Sequence, residues 1–267
     1  MGRPIRDFRQ GYSYHITVRC NNRDFHLHRR PCREVILYCV KRALEKFDFT
    51  LYAICVMSSH VHYLIEPARP DDLPRIMHFV NWYSAMCLNR LLGRRGHFWE
   101  KRYHAAGFRN ADRRRALNVL RYIHGNPMAA GLSGGFVYPF SNYGTYENLR
   151  DDGLTRWHGS FLRLGLSLEE CAIRYSSFCQ RNPPKPKAPP SPPPPPPWGS
   201  RLLAPLRLRV DSRLRGHDGA VRGQGLLFER PKSRTPRCQV GEDSYVAEVV
   251  RRFLLCNRRR GGRTLLP

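Results

Sequence analysis

The chain has 267 residues, 41% of them apolar and 11% aromatic, enough for a packed core of one or two domains. Its 46 Lys and Arg against 21 Asp and Glu give a net charge of +25, a field that favours phosphate-rich partners, nucleic acid first. The nine cysteines include no Cys-x-x-Cys pair, and no early apolar run is long enough for a signal peptide or a membrane span. These features predict reduced thiols in a soluble cytoplasmic protein.

The charge is not confined to a tail. Residues 1–182 hold 28 basic against 15 acidic residues, a net +13, and residues 183–267 hold 18 against 6, a net +12. Between the two parts, residues 183–197 contain 11 of the 22 prolines, a composition that suits a polyproline II spacer and neither sheet nor helix. The predicted organisation is a folded domain over 1–150, a helical extension over 151–182, a proline-rich linker over 183–200 and a basic, mostly disordered tail over 201–267. Within that tail only 244–254 has a helical pattern.

In chain order, Tyr12–Val18 is aromatic and β-branched and predicts a strand. Residues 32–47 space Val35, Leu37, Val40, Leu44 and Phe47 as a helix does. Phe49–Met57 predicts a second strand, Ser58-Ser59 a tight turn, and the run from His60 to Ile65 a third strand. A helix is expected over 73–92 and a fourth strand over 103–108. A further helix, capped by Asn110 or Asp112, should reach Gly125 and stop at Pro127. The order β-α-β-β-α-β-α predicts an α+β fold: a ferredoxin-like antiparallel sheet with helices on one face and an added helix. The other face is then free for a site built on the central strands.

Two histidines one residue apart lead the third strand. Alternation puts His60 and His62 on one face, where two imidazoles can hold a divalent metal and leave positions for a substrate phosphate. A second pair, His26 and His28, lies in an Arg-rich stretch without an apolar strand and fits a solvated basic loop that touches phosphates. On the last helix Tyr122 and Asn126 are spaced i, i+4 and share a face. They can approach the same metal, the phenol as nucleophile and the amide oxygen as third ligand. His124, roughly 200° around the helix, should point away. The plain alternative is that Tyr122 and Ile123 are core residues and Asn126-Pro127 only a helix stop.

A phenol that titrates near about 10 is a weak nucleophile at neutral pH. A divalent cation on the scissile phosphate would withdraw charge and orient in-line attack, giving a 5′-phosphotyrosine bond and a free 3′-hydroxyl. That covalent bond conserves the energy needed to rejoin strands.

Several segments resemble the REP-associated tyrosine transposases of the single-tyrosine HUH superfamily. They include Gly2-Arg3-Pro4-Ile5-Arg6, Tyr14-His15-Ile16-Thr17, Met57-Ser58-Ser59-His60-Val61-His62, Gly96-His97-Phe98-Trp99-Glu100-Lys101-Arg102-Tyr103, Tyr122-Ile123-His124-Gly125-Asn126-Pro127 and Tyr138-Pro139-Phe140-Ser141-Asn142-Tyr143. The resemblance spans residues 1–150, with an echo to about 180 in Phe161-Leu162-Arg163-Leu164-Gly165 and Tyr175. It implies His60 and His62 as metal ligands, Asn126 as the additional ligand, Tyr122 as nucleophile and magnesium or manganese as the metal. It further implies nicking of single-stranded DNA beside palindromic hairpins, with Arg3, Arg6 and Arg9 contacting DNA. The rival reading is a noncatalytic regulator that binds repeat DNA and keeps the fold; a third is a metallohydrolase that activates water.

Monomer and homodimer stay open, as does whether the tyrosine serves its own subunit. The linker and tail depart from the family pattern, and Asp211–Gly219 looks like translated intergenic repeat DNA. The alternative is a nonspecific DNA-binding arm.

Overall fold

In a computed structural model of the chain, residues 7–100 and 102–186 are described. Arg3, Arg6, the linker from residue 187 on and the tail, with its candidate helix at 244–254, lie outside them.

Four strands form one antiparallel sheet: β1 (Tyr12–Arg19), β2 (Phe49–Val56), β3 (His60–Pro67) and β4 (His104–Arg109), in the order β2-β3-β1-β4. Helix α1 (Arg30–Lys46) joins β1 to β2, and α2 (Asp72–Leu91) joins β3 to β4. Two α-helices thus span the two long crossovers, which is the expected ferredoxin-like α+β layer. The predicted boundaries of these four strands and two helices hold to within two residues.

Alternation sorts the sheet into two faces. Ile16, Val18, Val61, Tyr63 and Ile65 point one way and are buried together with the apolar stripes of α1 and α2, such as Val35, Cys39, Ile76 and Val80. On the other face β1 carries Ser13, His15 and Thr17, and β3 carries His60 and His62. The β1–β3 register places Thr17 opposite His62 and Arg19 opposite His60. Gly107 of β4 is required by close approach, since a Cβ there would lie 2.7 Å from the Tyr14 ring.

Helix α3 (Arg113–Ala129) packs over this second face, and Asp112 caps it by accepting from the Arg115 N–H at 2.9 Å. Here the structure corrects the sequence: Pro127 does not stop the helix, which runs on to Ala129. Pro127 lacks the N–H for the turn before it, but it is buried with its neighbours. The side-chain amide of Asn126 donates to Tyr122 O at 2.7 Å in the same turn. Packing and that side-chain bond carry the chain past the breaker.

Beyond α3 come three shorter helices, α4 (Tyr143–Asn148), α5 (Gly159–Leu162) and α6 (Leu168–Arg181). Ser167 caps α6 through the Glu170 N–H. The seven cysteines among the described residues are buried. No helix among the described residues is long and apolar enough to cross a membrane.

Two histidines are sealed inside this fold. His158 accepts the Ser160 N–H at 3.0 Å as the cap of α5. Burial, with Arg163 nearby, holds its pKa down at about 4. Burial likewise lowers His124 to about 4, opposed by its bond to Asn142. In the unfolded chain each histidine takes its proton near about 6.5. Their contribution is therefore complete above that pH and is lost as pH falls towards 4, on the order of 2–3 kcal/mol each. Thermal melting should drop through this window. The loss should be shallower in His158→Asn, which keeps a capping acceptor; parallel curves for the two proteins would refute the assignment.

Candidate active site

The geometry starts at the Ser58-Ser59 turn. Met57 N donates to His60 O at 2.9 Å and closes the hairpin. The turn is held from outside as Cys20 N donates to Ser59 O (2.8 Å) and Leu27 N to Ser58 O (2.9 Å). His60 therefore leaves a doubly anchored turn, with Ser59 Oγ 3.2 Å from its Nδ1. Its ring meets that of His62 edge-on at a centroid distance of 4.9 Å.

His62 is 3% exposed. Its Nδ1 lies 3.1 Å from Thr17 Oγ1 and 3.0 Å from His15 Nε2. A partner on Nδ1 fixes the ring and favours the tautomer that offers Nε2 to a cation. His15 is held neutral. Burial first, then the charges of His104 and Arg115, lower its pKa to about 4. His104 is paired with Thr17 on β4, and Arg115 lies two helical turns before Tyr122. The guanidinium of Arg115 thus brings positive charge near the histidines on the side of α3, which favours a phosphate-bearing ligand.

Tyr122 comes down on this cluster from α3. Its ring is edge-on to His62 at 5.7 Å and to His15 at 5.5 Å, and the residue is 46% exposed, so solvent and substrate reach it. Asn126, 1% exposed, sits one turn further on. With its Nδ2 engaged by Tyr122 O, a cation could be ligated only through Oδ1.

What aims the tyrosine is on the opposite side of α3. His124 is fully buried and lies between Tyr175 OH (2.8 Å from Nδ1) and Asn142 Oδ1 (3.1 Å from Nε2). Asn142 in turn accepts the Ile54 N–H at 3.0 Å and donates to Tyr52 O at 3.0 Å, where β2 carries a register shift between Leu51 and Ala53. His124 does point away from the site, and it ties the tyrosine's helix to the edge strand and to α6.

The structure thus brings His60, His62 and Tyr122 together, with Asn126 adjacent on the helix. It does not bring Arg9 there. Arg9 precedes β1, and the strand from Tyr12 to Thr17 alone spans about 17 Å. Its guanidinium pairs with Asp7 at 2.6 Å and lies 6.0 Å over the Tyr12 ring. His26 and His28 lie in a short 3-10 turn, not on a strand, with His26 against Asp24 at 3.2 Å. Sequence reasoning missed His15 and Thr17 as partners of His62. Alternation puts both on one face of β1, but that they meet His62 depends on the register of β1 on β3.

Among the described residues no group of three or more His, Cys, Asp or Glu could hold a metal. A cation here would need the amide of Asn126 beside the two imidazoles. That donor set fits a divalent metal whose remaining positions are taken by water or phosphate oxygens, an open rather than a closed sphere.

Fold and site together define a protein in which a tyrosine on a helix faces two histidines on the central strand of a ferredoxin-like sheet. A family model described as "Transposase IS200 like" matches residues 9–126, which hold all four strands, both histidines and Tyr122. No curated protein matches the chain. Among solved structures, a REP-associated tyrosine transposase bound to a REP hairpin aligns at 21% identity and a TM-score of 0.46, over 58% of this chain and 89% of that one. A candidate transposase from Deinococcus radiodurans R1 aligns at 16% identity and a TM-score of 0.31, over 46% and 97%.

Thr17→Val removes one partner of His62 Nδ1 while keeping the side-chain shape. Manganese affinity, read by titration calorimetry, should fall about 10- to 100-fold with little change in melting temperature. Unchanged affinity would show that Thr17 does not orient the ring.

Proposed function

We propose that the protein is a metal-dependent transposase that nicks and rejoins single-stranded DNA at palindromic repeat hairpins through a 5′-phosphotyrosine intermediate, acting on DNA in the cytoplasm. One observation carries the reading: Tyr122, remote in sequence from the histidines, has its ring 5.7 Å from that of His62, which is itself 4.9 Å from His60. The family-model match over residues 9–126 supports it, as do the sequence segments shared with the REP-associated enzymes.

In this reading His60, His62 and Asn126 hold magnesium or manganese, which when bound supplies Lewis-acid relief of charge on the scissile phosphate. Tyr122 Oη attacks phosphorus in line with the 3′ oxygen. The O–P bond to tyrosine forms, the P–O3′ bond breaks, the phenolic proton leaves to solvent and the 3′ oxygen takes one up. The reverse attack by a 3′-hydroxyl rejoins strands without ATP. His15 and Thr17 orient His62, and the His124 anchorage orients Tyr122, so the attacking atom is positioned before substrate arrives. Arg115 adds favourable potential for the neighbouring phosphates.

The test is incubation with labelled single-stranded repeat DNA and manganese. A covalent protein–DNA adduct is expected from the unaltered protein and none from Tyr122→Phe. Tight binding without any adduct would support the noncatalytic regulator instead. Cleavage that persists in Tyr122→Phe, with hydroxyl ends, would support the water-activating hydrolase. His60→Ala should abolish metal-dependent cleavage and keep most DNA affinity, because phosphate contacts dominate binding. Asn126→Ala should weaken metal binding less severely. Loss of DNA binding in place of cleavage in either variant would count against the assigned roles.

A further inference from the structure

Helices α3 and α6 leave between them a groove of about 860 Å³, lined by Arg113 of α3 and by Ile173, Arg174, Phe178 and Arg181 of α6. It has no part in the site described above, and α6 lies beyond the residues matched by the family model. Arg121 extends the same flank, with its guanidinium 6.0 Å over the Phe178 ring. Among the described residues only Arg174 of these four arginines pairs with an acidic side chain, Glu170. Ile173 is 67% exposed, a large apolar side chain left at the rim of a cationic groove.

We propose that this groove binds an unpaired stretch of DNA flanking the cut, its phosphates on Arg113 and Arg181 and a base against Phe178. The inference rests on the reading above for the identity of the DNA. Cations alternating with an aromatic and an aliphatic platform are what a single strand needs, since every base has a π-face and every link a phosphate. A duplex offers no open base to such a floor.

Charge disfavours the occupants closest to hand. Residues 183–267 carry a net +12 and a second copy carries +25, so a polyanion complements the arginines of the groove better than either. Position fits as well. Arg121 is the residue before Tyr122, about 100° around the same helix. Through its contact with Phe178, Arg121 joins the flank of the groove to the turn of α3 that carries the nucleophile, while Arg113 lies nine residues earlier on the opposite face of that helix. The wall is firm, because Arg121 Nη1 donates to Asn182 O at 2.7 Å and Gly125 packs against Pro184, leaving only 3.2 Å for an added Cβ.

The experiment uses full-length Tyr122→Phe protein, which forms no adduct, and a labelled DNA hairpin with unpaired flanks. Adding Arg113→Gln and Arg181→Gln should weaken binding about ten-fold near physiological salt, and the slope of log K against log salt should shrink by about 1.4. Phe178→Leu should weaken binding several-fold with the slope unchanged. Both losses should vanish on the same hairpin trimmed of its flanks, and melting temperatures should match. Unchanged affinity and slope in the correctly folded double variant would overturn the proposal. So would a loss that persists on the trimmed hairpin, which would place duplex backbone in the groove. Because only binding is read, this failure is separate from a failure of the cleavage reading, which the adduct assay detects.

Discussion

The buried imidazole of His124 is the contact on which the arrangement of the site depends. A helix laid across a sheet can roll about its axis at small cost when only apolar side chains hold it. Here one fully buried side chain bonds at both ring nitrogens, to Tyr175 on α6 and to Asn142 beside the edge strand. Rolling α3 would break both bonds of the buried ring, each worth on the order of 1–3 kcal/mol when its buried group is left unsatisfied. Tyr122, two residues earlier, is thereby held towards His62 and His15. A histidine that takes no part in chemistry fixes the orientation of the residue that does.

A second constraint comes from the sheet. Asn142 can reach Ile54 N and Tyr52 O because β2 slips its register between Leu51 and Ala53, which brings those backbone groups to the edge. The peptide after α3 then closes along β2, with Val56 N donating to Phe140 O at 2.9 Å. The edge strand is covered, and the helix with the tyrosine is anchored by the same few residues.

Much of this was legible in the sequence, because the two periodicities that matter are local. Alternation put His60 and His62 on one face, and the i, i+4 spacing put Tyr122 and Asn126 on another, with His124 turned away. The contributions of His15 and Thr17 were not legible, since they depend on which residue of β1 lies opposite His62, and register is a long-range property. Pro127 misled for a related reason: its intrinsic preference was overridden by burial and by the Asn126 amide. The groove between α3 and α6 joins residues some sixty positions apart and has no local signature.

The hydrogen bond from Asn126 to the carbonyl of Tyr122 has one more implication. It splints two adjacent turns, so the amide and the phenol travel as one rigid body whenever α3 shifts. A displacement that withdrew the phenol from the sheet would take the amide with it, leaving the two imidazoles behind. In such a movement, disengaging the attacking group and loosening the grip on any bound cation are a single mechanical event.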